Sequence, residues 1–170
     1  MKITVLGCYE ARVYEPSERA AIIRIGDTIE EVSTELSGNF EKEYRFGFHD
    51  LTRISANTPS NWKIFSMSDG KLMLEAFEEI ALFKVDEVVV HCHAGISRSP
   101  AIAIALGIYL GESGIIQEVF KKPIIPNERV LDVMFATMKK SGFERRSYRN
   151  EIQECIQKDK EKMSNQKIVF

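Results

Sequence analysis

Apolar residues along the chain form two kinds of pattern, short continuous runs and longer runs with helical spacing. The segment 86–92, DEVVVHC, is a β-branched apolar run, which is typical of a strand buried on both faces of a sheet. The segment 97–111, SRSPAIAIALGIYLG, is almost wholly apolar, which indicates a helix in the middle of the fold. The same reasoning predicts further strands at 2–9, 19–27 and 43–51, and further helices at 28–36, 68–84, 113–122 and 127–142.

The order of these elements predicts the fold class. Strands alternate with helices, so we expect an α/β protein with a central, mainly parallel sheet and helices on both faces. Ser68 or Asp69 is expected to cap the helix at 68–84, and Asn127 the helix at 127–142. Residues 1–142 are expected to form a single domain, and the charged segment 143–170 a helical C-terminal extension.

Composition narrows the setting in which such a domain works. The 170 residues are 44% hydrophobic, enough for one domain with a substantial core. A net charge of -2 gives no reason to expect nucleic acid or a membrane surface as a partner. The apolar stretches are too short to span a bilayer, and the N-terminus lacks the apolar core of a signal peptide. Cys8, Cys92 and Cys155 are too few and too widely spaced for a disulfide framework, so we expect a reducing, cytoplasmic location.

The segment 91–100, HCHAGISRSP, carries the clearest candidate chemistry. It joins a buried strand to the first turn of a helix, where backbone N–H groups lack partners and the helix dipole favours an anion. Gly95 permits close approach of the backbone, and Arg98 adds a planar set of donors that suits a tetrahedral oxyanion. The same field stabilises a thiolate at Cys92. These features predict a phosphate cradle with a sulfur nucleophile, the alternative being that Cys92 is an inert core thiol.

This segment resembles the signature loop of the cysteine-dependent protein tyrosine phosphatases, in particular the compact dual-specificity type. The family pattern is His-Cys-x-x-Gly-x-x-Arg-Ser/Thr, and every fixed position of it is filled here. The segment 123–131, PIIPNERVL, is similar to the Pro-Asn segment before the last core helix of these proteins, and 48–51, FHDL, looks like a segment of small bacterial members. The resemblance extends loosely over residues 1–142 and implies the family's fold and a metal-independent phosphatase activity.

The resemblance also implies roles for individual residues. Cys92 would be the nucleophile, Arg98 would clamp the phosphoryl group, and Ser99 would donate a hydrogen bond to the departing sulfur. His91 would orient the loop, and Asn127 would brace it. Backbone N–H groups of the loop would bind the phosphate, and they belong to His93, Ala94, Gly95, Ile96, Ser97 and Arg98.

The family also requires a general acid to protonate the leaving oxygen. Asp50 is our choice, because it ends a predicted strand, begins a polar loop and lies upstream of Cys92. Its separation from Cys92 is longer than is usual in the family, so an insertion within 52–67 is required. Asp69 is the rival, although its expected place at a helix N-cap would explain it without catalysis.

Three classes of function stay open. The first is a phosphatase that acts through a cysteinyl-phosphate, without a cofactor, on phosphotyrosine and also on phosphoserine or phosphothreonine. The second is a phosphate- or phosphopeptide-binding module with little turnover. The third is a phosphatase of a non-protein phosphate, such as an RNA 5′-phosphate, an inositol phosphate or a lipid. The variable loop positions contain no lysine, which favours a phosphorylated protein or a small aryl phosphate. A metal site on His91, Cys92 and His93 is disfavoured, because no further pair of ligands has suitable spacing.

Overall fold

The structure is a computed structural model that describes residues 1–112 and 114–143, together with residues 152, 154–158 and 161. Within these residues, no helix is long and apolar enough to cross a membrane.

A four-stranded sheet lies at the centre of the protein. Its strands are β1 (Lys2–Gly7), β2 (Ala20–Gly26), β3 (Lys42–Gly47) and β4 (Glu87–Cys92). They are all parallel, in the order β1-β4-β2-β3, so the expectation of an α/β fold with a parallel sheet is confirmed. Every residue of β4 is buried, which agrees with the central strand that its continuous apolar run predicts.

The two faces of the sheet are covered unequally. Four helices, α2 (Met67–Phe83), α3 (Arg98–Leu110), α4 (Ile115–Val119) and α5 (Glu128–Lys140), belong to the larger core. Val88 and Val90 of β4 belong to this core, while Val89 belongs to a smaller one with Ala11 of helix α1 (Cys8–Val13). Alternate residues of β4 therefore face opposite layers, and α3 is buried from Arg98 to Ile108.

The first strand is shorter than predicted, since it ends at Gly7 and a short helix begins at Cys8. The carboxylate of Glu10 accepts a hydrogen bond of 2.8 Å from the backbone N–H of Gly7. This contact satisfies a donor at the start of α1 that would otherwise lack a partner. The expected strand at 2–9 was thus wrong at its carboxyl end, and Cys8 lies on a helix.

Two further elements near the site also differ from expectation. Strand β3 ends at Gly47, so His49 and Asp50 lie in the loop that follows it and not on its end. The helix expected at 28–36 is only a single 3₁₀ turn, Glu30–Val32. The two segments begin next to each other, because a Cβ atom on Gly47 would lie 2.8 Å from the backbone nitrogen of Ile29.

Helix α2 has a different N-cap from the one predicted. Ser66 caps it, accepting from the N–H of Asp69, while the Asp69 carboxylate accepts from the N–H of Ser66. This is a reciprocal capping box, so neither Ser68 nor Asp69 is the cap residue. Asn127 caps α5 as expected, since its Oδ1 accepts from the N–H of Val130 at 3.0 Å.

The C-terminal extension is described only in part. Residues 152, 154–158 and 161 are helical, and the rest of the helix predicted within 143–170 lies outside the described residues. Ile152 and Ile156 are buried in the larger core. At least these two side chains of the extension therefore pack onto the domain.

Candidate active site

The candidate site lies where parallel strands end together. Gly7 pairs with Cys92 across β1 and β4, and Arg24 pairs with His91 across β2 and β4. A cavity of about 810 Å³ opens at this edge. The carboxyl edge of a parallel sheet is where such folds bind ligands. Seven residues of the signature-like segment line the cavity, namely His91, Cys92, His93, Ala94, Ile96, Ser97 and Arg98.

The loop from Cys92 to Arg98 depends on a glycine. Gly95 has a φ of +74°, in the left-handed region that side chains disfavour. A Cβ atom on Gly95 would lie 2.8 Å from the backbone nitrogen of Gly7. The loop can therefore fold tightly against the end of β1 only with glycine at this position.

Cys92 lies at the end of β4 with its side chain 3% exposed. The hydroxyl of Ser99 donates a hydrogen bond to its sulfur at 3.1 Å. The sulfur lies next to the N-terminus of α3, a buried helix whose dipole favours negative charge. The Cys92 sulfur therefore has a hydrogen-bond donor and a helix N-terminus beside it.

Arg98, which is 5% exposed, is held by two acceptors. Its Nη1 donates to the carboxylate of Asp27 at 2.7 Å and to the carbonyl oxygen of Phe48 at 2.6 Å. Its Nε is buried and has no hydrogen-bond partner among the described residues. A buried donor without a partner is costly, so this N–H is suited to an oxyanion in the cavity.

Asp50 lies beside the loop and accepts hydrogen bonds from two side chains. Its Oδ1 accepts hydrogen bonds from the hydroxyl of Ser97 at 2.8 Å and from Nδ2 of Asn127 at 2.6 Å. Asp50 also lines the cavity. The structure thus brings together Asp50, Asn127 and the loop, although 77 residues separate the first two.

Asp69 lies elsewhere. It is buried at the start of α2, where Lys63 forms an ion pair with it, and it does not line the cavity. Burial acts to raise the pKa of Asp69, but hydrogen bonds from Lys63 and Ser66 leave that pKa below its ordinary value. The structure therefore brings Asp50 to the cavity, and it does not bring Asp69 there.

His91 lies on β4, directly before Cys92. Its Nε2 accepts a hydrogen bond from Nε of Arg24 at 3.3 Å, and its Nδ1 is buried without a partner in the part of the chain that the structure describes. Burial, aided by the charge of Arg24, lowers the pKa of His91 to about 4. His91 is therefore neutral at physiological pH.

Asp27 and Trp62 are among the cavity-lining residues that the sequence did not indicate. Asp27 follows Gly26 at the carboxyl end of β2, a position that could have marked it as a ligand-facing residue. Trp62 lines the cavity from a polar loop in which no local pattern indicates a role. Only the tertiary structure brings either residue to the cradle.

Cys8 also lines the cavity, and its sulfur lies 4.0 Å from Nδ1 of His93. Cys8 and Cys92 are both free thiols. No group of three or more His, Cys, Asp or Glu side chains in the described ranges could hold a metal ion.

Comparison with solved structures shows which known proteins share this fold. No family model matches the sequence, and no curated protein does. Among solved structures, human DUSP28 is similar with a TM-score of 0.57 and 12% identity, over 82% of this chain and 93% of that one. The human tyrosine phosphatase-like serine/threonine/tyrosine-interacting protein is similar with a TM-score of 0.52 and 17% identity, over 82% of this chain and 92% of that one. The chain therefore shares the fold of these two proteins, which agrees with the fold that the signature-like segment led us to expect.

Proposed function

We propose that the protein is a phosphatase that hydrolyses phosphomonoesters through a cysteinyl-phosphate on Cys92. The observation that carries this proposal is the pairing of a buried thiol with a buried arginine donor, the Nε of Arg98, that lacks a partner among the described residues. An oxygen of a phosphoryl group in the cradle would accept a hydrogen bond from that donor. The phosphorus atom would then lie in front of the sulfur. Phosphotyrosine is the proposed substrate, with phosphoserine and phosphothreonine as a wider range.

In the first step, the thiolate of Cys92 attacks phosphorus opposite the ester oxygen. The S–P bond forms, the P–O ester bond breaks, and its electron pair goes to the ester oxygen. Asp50 supplies the proton that this oxygen takes up. Both described hydrogen bonds to Asp50 reach Oδ1, so Oδ2 is the oxygen proposed to carry the proton. Arg98 and the loop N–H groups bind the charge that develops on the other phosphoryl oxygens.

In the second step, the carboxylate of Asp50 removes a proton from a water molecule, which attacks phosphorus. A new P–O bond forms, the S–P bond breaks, and its electron pair returns to sulfur. The hydroxyl of Ser99, 3.1 Å from that sulfur, stabilises the departing thiolate. The cycle needs no cofactor, but it needs a reduced Cys92, and we propose that the protein works in a reducing compartment such as the cytoplasm.

The test is hydrolysis of an activated aryl phosphate from about pH 5 to 8, in reducing buffer with a chelator. We expect turnover in the wild type and a loss of about a thousandfold or more in Cys92→Ser. The matched control is Cys155→Ser, which changes a cysteine outside the cavity and should leave turnover intact. If the wild type bound inorganic phosphate or vanadate tightly but showed no turnover, the proposed phosphatase function would be wrong. The protein would then be a phosphate-binding module.

A further inference from the structure

The loop between β3 and α2 is closed on itself next to the cavity. At its base, the backbone N–H of His49 donates to the carbonyl oxygen of Lys63 at 2.7 Å. In return, the N–H of Lys63 donates to Nδ1 of the His49 ring at 3.0 Å. These two contacts fix both ends of residues 49–63, which we call the closed loop. It overlaps the 52–67 segment in which the sequence requires an insertion relative to the family.

Trp62 has a defined orientation within the closed loop. Its ring stacks on that of His49, with centroids 4.8 Å apart and planes inclined by 17°. Its backbone N–H donates to the carbonyl oxygen of Pro59 at 3.0 Å. His49 is itself held through its ring nitrogen, so the indole packs on a fixed partner.

The indole is nevertheless not buried. Trp62 is 42% exposed, and it lines the same cavity as Cys92 and Arg98. Ile96 of the phosphate loop lines this cavity as well and is 44% exposed. An aromatic ring that is held in place and left open to a cavity can add a large apolar contact at little conformational cost. This apolar surface and the position proposed for the phosphoryl group therefore share one cavity.

We propose that Trp62 is a specificity-determining residue that packs against the aromatic part of the substrate, beyond the phosphate. This inference rests on the proposed function, because it assumes that the cradle binds the phosphoryl group. Trp62 then favours phosphate esters that carry an aromatic ring over those of small aliphatic alcohols. It acts on binding, while Cys92 and Asp50 carry out the chemistry.

Phenylphosphonate and methylphosphonate provide the test, because both offer an oxyanion that cannot be hydrolysed and only the first carries a ring. Their affinities are measured by calorimetry for the wild type, Trp62→Ala, Trp62→Phe and the control Ile54→Ala. Ile54 lies in the closed loop and is 62% exposed, but it does not line the cavity. Trp62 is the single tryptophan of the chain, so intrinsic fluorescence of the wild type reports on this position directly.

We expect Trp62→Ala to weaken phenylphosphonate binding about 3- to 10-fold and to leave methylphosphonate binding unchanged. Trp62→Phe should retain most of the preference, and Ile54→Ala should match the wild type. In the wild type, phenylphosphonate should change the tryptophan emission more than methylphosphonate does at equal saturation. This fluorescence measurement keeps the proposal testable if Trp62→Ala does not fold.

Two results would overturn the inference in different ways. Equal affinity of the wild type for both phosphonates, with equal fluorescence changes, would show that Trp62 makes no contact with the ring while the cradle still binds oxyanions. If the protein bound neither phosphonate and no inorganic phosphate, the proposed function itself would be wrong. The role of Trp62 would then be wrong as well.

Discussion

Asp27 and Arg98 form an ion pair, with the carboxylate 2.7 Å from Nη1 of the guanidinium. Asp27 lies just after β2, and Arg98 begins α3. The ion pair therefore links the end of a strand to the start of a helix, and both residues line the cavity. The carbonyl oxygen of Phe48 holds the same Nη1 from the end of β3. Asp27 therefore serves as a positioning residue for the arginine that is proposed to bind the phosphoryl group.

Replacement of Asp27 tests this relationship. In Asp27→Asn, Arg98 loses its charged acceptor and keeps the neutral carbonyl oxygen of Phe48. We therefore expect kcat to fall about tenfold. KM should not rise, because the substitution also removes a negative charge that repels the substrate. Steady-state kinetics on an aryl phosphate measure both values. Asp86→Asn, at the opposite end of the sheet, is the control, and a raised KM with unchanged kcat would contradict the positioning role.

Ser99 is expected to act mainly in the second chemical step. Ser99→Ala removes the hydrogen bond to the sulfur of Cys92, so breakdown of the cysteinyl-phosphate should slow about tenfold or more. Rapid-mixing kinetics should then show a burst of released alcohol that approaches the enzyme concentration. Ser141→Ala, at the end of α5, is the matched control. A slowed burst with normal steady-state turnover after it would be inconsistent with this role.

Asp50 can be identified as the acid by its effect on different leaving groups. Asp50→Asn should lower kcat/KM, which reports only the steps up to cleavage of the ester bond, about 100-fold or more for phenyl phosphate, whose leaving oxygen needs a proton. The loss should be much smaller for para-nitrophenyl phosphate, whose leaving group departs readily without one. Asp69→Asn is the control, and it should lower the free energy of unfolding by about 1 kcal/mol, through loss of the capping box, without changing the leaving-group dependence. Equal losses of Asp50→Asn on both esters would exclude Asp50 as the acid.

His91 should make the stability of the protein depend on pH. Its pKa falls from 6.5 to about 4 on folding, so below pH 6.5 the unfolded chain binds a proton that the folded chain does not. Its contribution is fully present above pH 6.5 and is lost as the pH falls toward 4, by up to about 3 kcal/mol.

Urea denaturation between about pH 7 and 4.5 compares the wild type with His91→Gln, which lacks this titration. The difference in unfolding free energy between the two proteins should narrow as the pH falls. A difference that stays constant across this range would contradict a neutral, buried His91.

The parts of the site that lie close together in sequence were predictable. Strand β4, the loop and the start of α3 are consecutive, so a single ten-residue segment indicates the thiol, the turn at Gly95 and Arg98. Asp50 could be reached only through the family resemblance. The N-cap of α2 also had a local signal, because Ser66 and Asp69 have the spacing of a capping box, although the prediction chose the wrong member.

Long-range neighbours could not be predicted in this way. The contact of Asp27 with Arg98 depends on β2 lying beside β4, and the sequence does not specify the strand order. Trp62 reaches the cavity only because His49 and Lys63 close a loop whose residues carry no periodic pattern. The short helix α1 was missed because the apolar run of β1 continues past Gly7 into Cys8 and Tyr9.

The most direct test of the cysteine mechanism is to trap the intermediate. Wild-type protein is mixed with an aryl phosphate, quenched in acid during the first turnover, digested and analysed by mass spectrometry. The account predicts one added phosphoryl group on the peptide that contains Cys92, absent from Cys92→Ser and more abundant in Ser99→Ala. Turnover with no phosphoryl group on that peptide in either the wild type or Ser99→Ala would contradict nucleophilic attack by Cys92.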